Sequence, residues 1–154
     1  MSTEKFNLII HPKSNGSASE WLLENYEELI KMLPREKYKV FVSGSEKDSA
    51  ILKPWIANMN NEVEDIVGFF SLAEFIAFMN HADGLLACST GPLHLASALG
   101  KHTIGLYPSV RPIHATRWAP LGENAQFIES KAHDLSSITA LQVFGYLEKY
   151  FSKT

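Results

Sequence analysis

The residues best suited to bind an anion lie in one stretch, Asp83–Gly100, which reads Asp-Gly-Leu-Leu-Ala-Cys-Ser-Thr-Gly-Pro-Leu-His-Leu-Ala-Ser-Ala-Leu-Gly. Its short apolar run predicts a buried strand, although a run of this length is also compatible with a helix. The following Ser89–Pro92 is typical of a helix start. Ser or Thr can cap the N-terminus of the helix, and Pro at the first helical position has no N–H to leave unpaired. The predicted unit is therefore a strand, a tight turn and a short apolar helix that ends at Gly100.

The turn before this helix is the candidate anion site. A helix N-terminus presents unpaired backbone N–H groups and a partial positive charge, so phosphate is its natural ligand. His94 falls in the first helical turn, where it can help to hold the anion. Turns of this kind also occur in α/β proteins without a ligand, so spacing alone leaves both interpretations open. The glycine-rich dinucleotide and P-loop fingerprints are absent from the sequence.

Length and composition describe an ordinary globular chain. The 154 residues are enough to bury a core and predict one domain, 1–154. Hydrophobic residues make up 45% and charged residues 20%, which is typical of globular folds. A formal net charge of -3 and the lack of a Lys/Arg-rich run argue against a nucleic-acid partner.

Neither a membrane span nor a secretion signal is evident in the sequence. No run reaches the roughly 18 apolar residues that a span needs, and the first residues lack the charged-then-apolar pattern of a signal peptide. We therefore expect a cytoplasmic location. Peripheral association with the inner face of the cytoplasmic membrane stays open.

The cysteine and histidine content predicts no metal site, and we expect no cofactor. The single cysteine, Cys88, excludes an internal disulfide and a cysteine-based zinc site, and its apolar surroundings indicate an inert core thiol. The histidine spacings match no metal-binding motif. His11, at a strand end, is interpreted as a hydrogen-bonded structural residue in preference to a catalytic one.

The elements that must position the turn alternate along the chain. Strands are predicted at 6–11, 38–43, 63–67, 85–88, 103–107 and 126–128. Helices are predicted at 19–33, after 45, after 71, from 92 and over 136–151; Pro54 should kink or divide the second, and Ser71 with Glu74 forms a capping box for the third. Residues 108–124 form a long loop with three prolines, and loops of this length are usually functional.

This alternation indicates an α/β fold, a single Rossmann-like domain of about six parallel strands with helices on both faces. In such sheets, ligands bind at the carboxyl ends of the strands, where the strand order reverses. The first and fourth strands normally flank that point, and they are followed by Lys13–Ser17 and Ser89–Gly91. The two best anion-binding candidates thus converge on one predicted ligand site.

The sequence of this turn and helix, together with Ile104–Pro108, resembles glycosyltransferase family 9, the ADP-heptose:lipopolysaccharide heptosyltransferases. Further matches are His11-Pro12, Trp21, Glu24–Tyr26, Gly44–Glu46 and Ser71-Leu72. The resemblance covers nearly the whole chain but only the C-terminal half of the family's proteins. Those enzymes have the GT-B arrangement, in which two Rossmann-like domains enclose the active site. The C-terminal half holds the nucleotide-sugar donor, and the N-terminal half brings the acceptor and the catalytic base.

The resemblance implies a role for each matching residue. The donor diphosphate would be held by Lys13, Ser14, Asn15, Ser89, Thr90, Gly91, Leu93 and His94. Glu46 would accept hydrogen bonds from the ribose hydroxyls, and Phe70 would pack on the base. The long loop supplies the candidates for contact with the sugar or the acceptor, unless they are only solvated loop residues: Arg111, His114 and Arg117.

Two positions depart from the family pattern. Many members have Asp where this chain has Ser89, and many have a phosphate-binding Lys where it has Ser19. Either Lys13 supplies the missing charge from a nearby position, or the donor binds weakly. The exact nucleotide sugar is left open by these departures.

The function implied is the donor-binding half of a glycosyltransferase of lipopolysaccharide or surface-glycan synthesis, with an ADP-heptose-like donor. No catalytic residue is expected in this chain, because the family's catalytic base lies on the N-terminal half. That half would join in the same chain or as a separate one. The alternatives are a stand-alone nucleotide-sugar-binding module, a split-enzyme subunit that needs a partner and, more weakly, half of a sugar-nucleotide epimerase. The exposed inter-domain face also predicts a homodimer.

Overall fold

Six parallel strands form one sheet in the computed structural model, which describes residues 1–110 and 119–151, with side chains up to Lys149. The strands are β1 Phe6–His11, β2 Tyr38–Val42, β3 Glu64–Asp65, β4 Gly84–Cys88, β5 His102–Tyr107 and β6 Ala125–Glu129. Their order is β3-β2-β1-β4-β5-β6, and every neighbouring pair is parallel. The predicted fold class is confirmed, and the strand order reverses between β1 and β4, as expected.

The described helices cover both faces of this sheet. They are α1 Leu23–Met32, α2 Ser49–Ala57, α3 Leu72–His81, α4 Gly91–Ala98 and α5 Ala140–Phe151, with a short 3-10 turn at Glu46–Asp48 before α2. Side chains of β1 alternate between two cores, because successive strand residues point to opposite faces. Leu8 and Ile10 pack with residues of α1 and α5, whereas Ile9 packs with residues of α3 and α4.

Helices α1 and α5 begin later than predicted. Trp21 connects the segments that precede these two helices. Trp21 is buried, and its Nε1 donates a hydrogen bond of 2.9 Å to the Ile138 carbonyl. The backbone is still extended at Leu22, with φ -63° and ψ 144°, so α1 begins at Leu23 and not at residue 19. Likewise α5 begins at Ala140 and not at residue 136, after Thr139 Oγ1 accepts a bond from the Gln142 N–H at 3.1 Å.

Two further elements differ from the simplest prediction. Of the two effects predicted for Pro54, a kink or a division of α2, the division is absent, because α2 runs unbroken over Ser49–Ala57. Pro54 and Ala50 are both exposed, so water can satisfy the Ala50 carbonyl that lacks a helical partner. The third strand is only Glu64–Asp65, at the edge of the sheet, because Asp65 Oδ1 turns back to accept the Val67 N–H at 2.9 Å.

Candidate functional site

The site is positioned by the reversal of strand order between β1 and β4. These two central strands pair in parallel, with His11 opposite Ala87, so the loops that follow them leave the sheet side by side. All side chains of β4 are buried, which fixes the turn after it to the core. The structure therefore brings together the two segments that the sequence singled out, 13–17 and 89–91.

Thr90 is the N-cap of α4 and carries an unsatisfied buried hydroxyl. The residue is 6% exposed, and Thr90 Oγ1 has no hydrogen-bond partner within the described part of the chain. Gly91 is the first helical residue and Pro92 the second, one position later than predicted for the proline. The first N–H groups of a helix also lack intrahelical acceptors. A ligand anion would satisfy the hydroxyl and these N–H groups together.

The neighbours of Thr90 contribute in different ways. The Leu93 side chain is completely buried, so only its backbone N–H faces the turn. His94 is exposed and so available to a ligand. Ser89 is half-buried, and its side chain is hydrogen-bonded to Tyr107. Burial raises the pKa of Tyr107 to about 12, and the hydrogen bond to Ser89 opposes this rise. Ser89 thus ties the turn to Tyr107 of β5, a contact that the sequence did not predict.

In the first loop, Lys13 and Ser14 are already engaged by protein groups. Lys13 Nζ lies 2.6 Å from Glu20 Oε2. Ser14 is 6% exposed, and its Oγ donates to the Ala18 carbonyl at 2.9 Å, with Glu20 Oε1 at 3.4 Å. Asn15 is exposed, and its φ of 52° lies in the left-handed region, which Asn tolerates better than most residues.

Sequence reasoning missed Glu20. The signal for it was an acidic residue directly before the core-directed Trp21, in a segment expected to bind an anion. Burial raises the pKa of the Cys88 thiol to about 11, and the charges of Glu20 and Lys13 both reach this thiol, with opposite effects on its pKa. Lys13 follows β1, which lies beside β4 in the sheet, so the Lys13–Glu20 pair belongs to the same sheet edge as the turn that holds Thr90.

An apolar cavity of about 190 Å³ adjoins the turn at the carboxyl ends of β1 and β2. Its lining consists of His11, Ser43, Gly44, Ser45, Ile66, Phe70, Ser71, Leu72, Phe75 and Pro92. Pro92 belongs to the first turn of α4, so the cavity reaches the start of the helix that Thr90 caps. The exposed lining is largely carbon, as suits a flat ring or another apolar group.

Phe70 forms the outer wall of this cavity. Its side chain is 37% exposed, and its ring lies 5.0 Å from the Phe78 ring, centroid to centroid. Phe78 in turn meets Phe41 edge-on at 5.3 Å, so Phe70 rests on core aromatics.

The capping box predicted for α3 is confirmed. The Ser71 N–H donates to Glu74 Oε2 at 2.8 Å, and Ser71 Oγ accepts from the Glu74 N–H at 3.4 Å.

Glu46 lies at the rim, directly after the lining residues Gly44 and Ser45. Its side chain is exposed, and its carboxylate passes over Gly68, where a Cβ would overlap Glu46 Oε2. The turn is fixed by Asp48, whose Oδ2 accepts both the N–H and the hydroxyl of Ser45 at 2.7 Å. A carboxylate presented in this way can accept hydrogen bonds from a vicinal diol.

His11 lines the cavity as a neutral ring. Its Nδ1 lies 2.8 Å from Ser43 Oγ, which donates its own proton to the Ile10 carbonyl at 3.3 Å. His11 Nδ1–H is therefore the donor to Ser43. Burial lowers the pKa of His11 to about 4, and the negative charge of Asp48 opposes this only in part. The structural role predicted for His11 fits these bonds, and the structure adds its place in the cavity wall.

The three loop residues predicted to contact the sugar or the acceptor are not among those that the structure describes. Arg111, His114 and Arg117 lie outside the described residues. Within 1–110 and 119–151, no group of three or more His, Cys, Asp or Glu side chains could hold a metal ion. None of the helices in the described part of the chain is long and apolar enough to cross a membrane.

Comparison with known proteins gives a family match over most of the chain. The model of glycosyltransferase family 9 (heptosyltransferase) matches residues 1–145. A Haemophilus influenzae protein provisionally named a glycosyltransferase is 33% identical over 129 residues, which is 80% of this chain and 36% of that protein. Lipopolysaccharide core heptosyltransferase OpsX of the same organism is 26% identical over 128 residues, 82% of this chain and 37% of that protein.

Among solved structures, Escherichia coli heptosyltransferase WaaC with ADP superposes with a TM-score of 0.82 at 20% identity, over 97% of this chain and 46% of that one. At this identity the likeness shows a common fold. The chain thus spans less than half the length of each of these three proteins.

Proposed function

The chain belongs to glycosyltransferase family 9, and we propose that it forms the half of such an enzyme that binds the donor, a nucleoside diphosphate sugar. The observation that carries this proposal is the buried hydroxyl of Thr90, which has no partner in the described part of the chain and caps a helix whose Pro92 lines an apolar cavity. An anion joined to a flat ring is the ligand that these two features would take together.

The diphosphate lies in this proposal over the β4–α4 turn. Thr90 Oγ1 and the N–H groups of Gly91 and Leu93 donate hydrogen bonds to it, and His94 approaches from the exposed side of the helix. Asn15 and Lys13 face it from the first loop, with Ser14 and Ser89 holding the two loops in place. Backbone N–H groups and a helix dipole suit an anion whose charge grows as the sugar departs.

The nucleoside occupies the cavity. Its base packs against Phe70, Phe75 and Leu72, and its ribose hydroxyls donate to the Glu46 carboxylate at the rim. Neutral His11 offers hydrogen bonding in the cavity wall without a charge to desolvate. The relatives suggest adenine as the base and heptose as the sugar, because one is a heptosyltransferase with ADP and another a lipopolysaccharide core heptosyltransferase.

Sugar transfer needs a second half. Among the described residues at the cavity, the carboxylate and histidine candidates for a base are Glu46 and His11. The proposal assigns Glu46 to the ribose, and His11 is hydrogen-bonded to Ser43, so neither is left to deprotonate an acceptor hydroxyl. In this proposal the base belongs to the N-terminal half of a GT-B enzyme, joined in the same chain or supplied by a separate one. The transferred sugar leaves the diphosphate by direct displacement or through an oxocarbenium-like transition state, and the α4 N-terminus stabilises the departing charge.

A thermal-shift panel tests the donor assignment. Melting of the chain is followed with ADP, UDP, GDP and CMP and with their sugar conjugates, because a ligand that binds the native state raises its apparent stability. We expect a rise with ADP and ADP-sugars alone. A rise with another base would reassign the nucleotide, and no rise with any member would contradict the proposal. Sugar transfer by the purified chain alone would contradict the need for a second half.

A further inference from the structure

One carboxylate engages two of the residues that the proposed function assigns to the donor diphosphate. Glu20 Oε2 lies 2.6 Å from Lys13 Nζ, and Glu20 Oε1 lies 3.4 Å from Ser14 Oγ. The Lys13 and Glu20 side chains are 22% and 28% exposed, so water screens this pair less than a fully exposed one. Glu20 therefore offsets the charge of Lys13, one of the residues assigned to the diphosphate.

The pair also lies close enough to the turn to act on its ligand. Lys13 and Ser14 follow β1, which pairs in parallel with β4 as far as His11 opposite Ala87, so their loop leaves the sheet beside Cys88, the last residue of β4. Thr90 follows only two residues later. A charge in the loop after β1 acts on an anion at the Thr90 hydroxyl, because Coulomb interactions in a partly buried site fall off slowly with distance.

The two ligands that alternate in this site during turnover differ by about one charge. The diphosphate of a nucleotide sugar is esterified at both ends and carries two negative charges. A free nucleoside diphosphate ends in a phosphate monoester, whose second proton leaves with a pKa near 6, so it approaches three charges above neutral pH. A nearby carboxylate repels the more highly charged ligand more strongly.

We propose that Glu20 makes the donor site selective for a nucleotide sugar over the free nucleoside diphosphate. The inference rests on the proposed function, because it needs the diphosphate to lie between Lys13 and Thr90. Glu20 withholds part of the lysine charge, so the site keeps a ligand that carries two charges and releases the product that carries three. Glu20 is in this sense a specificity-determining residue that acts partly through Lys13.

Isothermal titration of the chain with ADP and ADP-glucose at low salt and pH 7.5 measures this selectivity. We expect Glu20→Gln to raise the affinity for ADP about fivefold to tenfold. The fold-increase for ADP-glucose should be about half as large, because this ligand carries less charge. The matched control is Glu27→Gln, which breaks the Glu27–Lys31 ion pair of 2.6 Å on α1 and should leave both affinities unchanged. Raising the salt should shrink the difference between wild type and Glu20→Gln.

A second variant separates charge from scaffolding. Lys13→Met should weaken both ligands, and the preference for ADP-glucose over ADP should persist because Glu20 is still charged. If Glu20→Gln weakens both ligands, or leaves their affinity ratio as in the wild type, the selectivity inference is wrong although the donor site stands. If neither ligand binds the wild type or any variant, the proposed function itself fails. Should the thermal-shift panel select another base, the same pair of that base replaces the ADP probes.

Discussion

The Glu46 carboxylate lies over Gly68, and the space it uses exists only because residue 68 has no side chain. Gly68 has φ +73°, and a Cβ there would overlap Glu46 Oε2. The Gly68 N–H also donates to the Gly44 carbonyl at 3.0 Å, which ties it to the loop that lines the cavity. A side chain at position 68, twenty-two residues later in the chain, would therefore displace the Glu46 carboxylate from its present position.

Gly68→Ala should displace Glu46 and weaken nucleotide binding. The left-handed backbone makes alanine strained at this position, at a cost of about 1 kcal/mol in the free energy of unfolding. Gly100→Ala is the control, because Gly100 has the same φ of +73° and a Cβ there would meet nothing within 4 Å. Denaturant unfolding should show a loss in both variants, whereas titration with ADP should show weakening in Gly68→Ala alone. Equal ADP affinity in the two would separate Glu46 from the ligand.

Thr90→Val should weaken nucleotide binding about tenfold without loss of stability. The buried Thr90 Oγ1 has no partner in the described part of the chain, so removing it deletes no protein hydrogen bond. Thr139→Val is the matched control, because Thr139 Oγ1 does cap its helix through the Gln142 N–H. That variant should lose about 1 kcal/mol of unfolding free energy and keep its ADP affinity. A destabilised Thr90→Val with unchanged affinity would assign the hydroxyl to the fold.

Glu46→Gln should weaken the binding of ribonucleotides and have little effect on nucleotides that lack the ribose hydroxyls. A carboxylate accepts from both hydroxyls of a diol, whereas an amide offers one acceptor and a competing donor. We expect about a tenfold weaker affinity for ADP, a typical size for a charged hydrogen bond, and little change for 2′,3′-dideoxy-ADP. Calorimetric titration with both ligands measures the ratio. Parallel weakening of both would indicate that Glu46 does not contact the ribose.

The pKa of His11 predicts how stability depends on pH. Its folded-state pKa, about 4, lies below the ordinary value of 6.5, so between these values the unfolded chain binds a proton that the folded chain does not. Unfolding free energy contributed by neutral His11 is complete above pH 6.5 and lost as the pH falls toward 4. We expect this loss to be on the order of 2 kcal/mol.

His11→Asn tests this origin, because the Asn amide can still donate to Ser43. Urea unfolding between pH 4 and 7 should show a flatter pH dependence in this variant than in the wild type. The control His81→Asn alters an exposed histidine at the end of α3 and should keep the wild-type slope. An unchanged slope in His11→Asn would mean that other groups govern stability in this range.

The outline of the fold could be predicted because it depends on local patterns. Apolar runs marked the buried strands, and their alternation with helical periodicity implied parallel pairing and the reversal between β1 and β4. Helix starts were less predictable. The Ser71–Glu74 capping box is local and was found, whereas the start of α1 depends on a bond from Trp21 to Ile138, 117 residues away.

The sequence by itself determined which residue types stand at the carboxyl ends of β1 and β4, and hence that an anion-binding turn is available there. Strand exits and helix caps are set by neighbouring residues, so they can be inferred from spacing. Only the tertiary structure decided the partners of these side chains: Glu20 for Lys13, Gly68 beneath Glu46, and no described partner for Thr90 Oγ1. Such pairings depend on the packing of distant segments, and the charge and hydrogen bonding of the site follow from them.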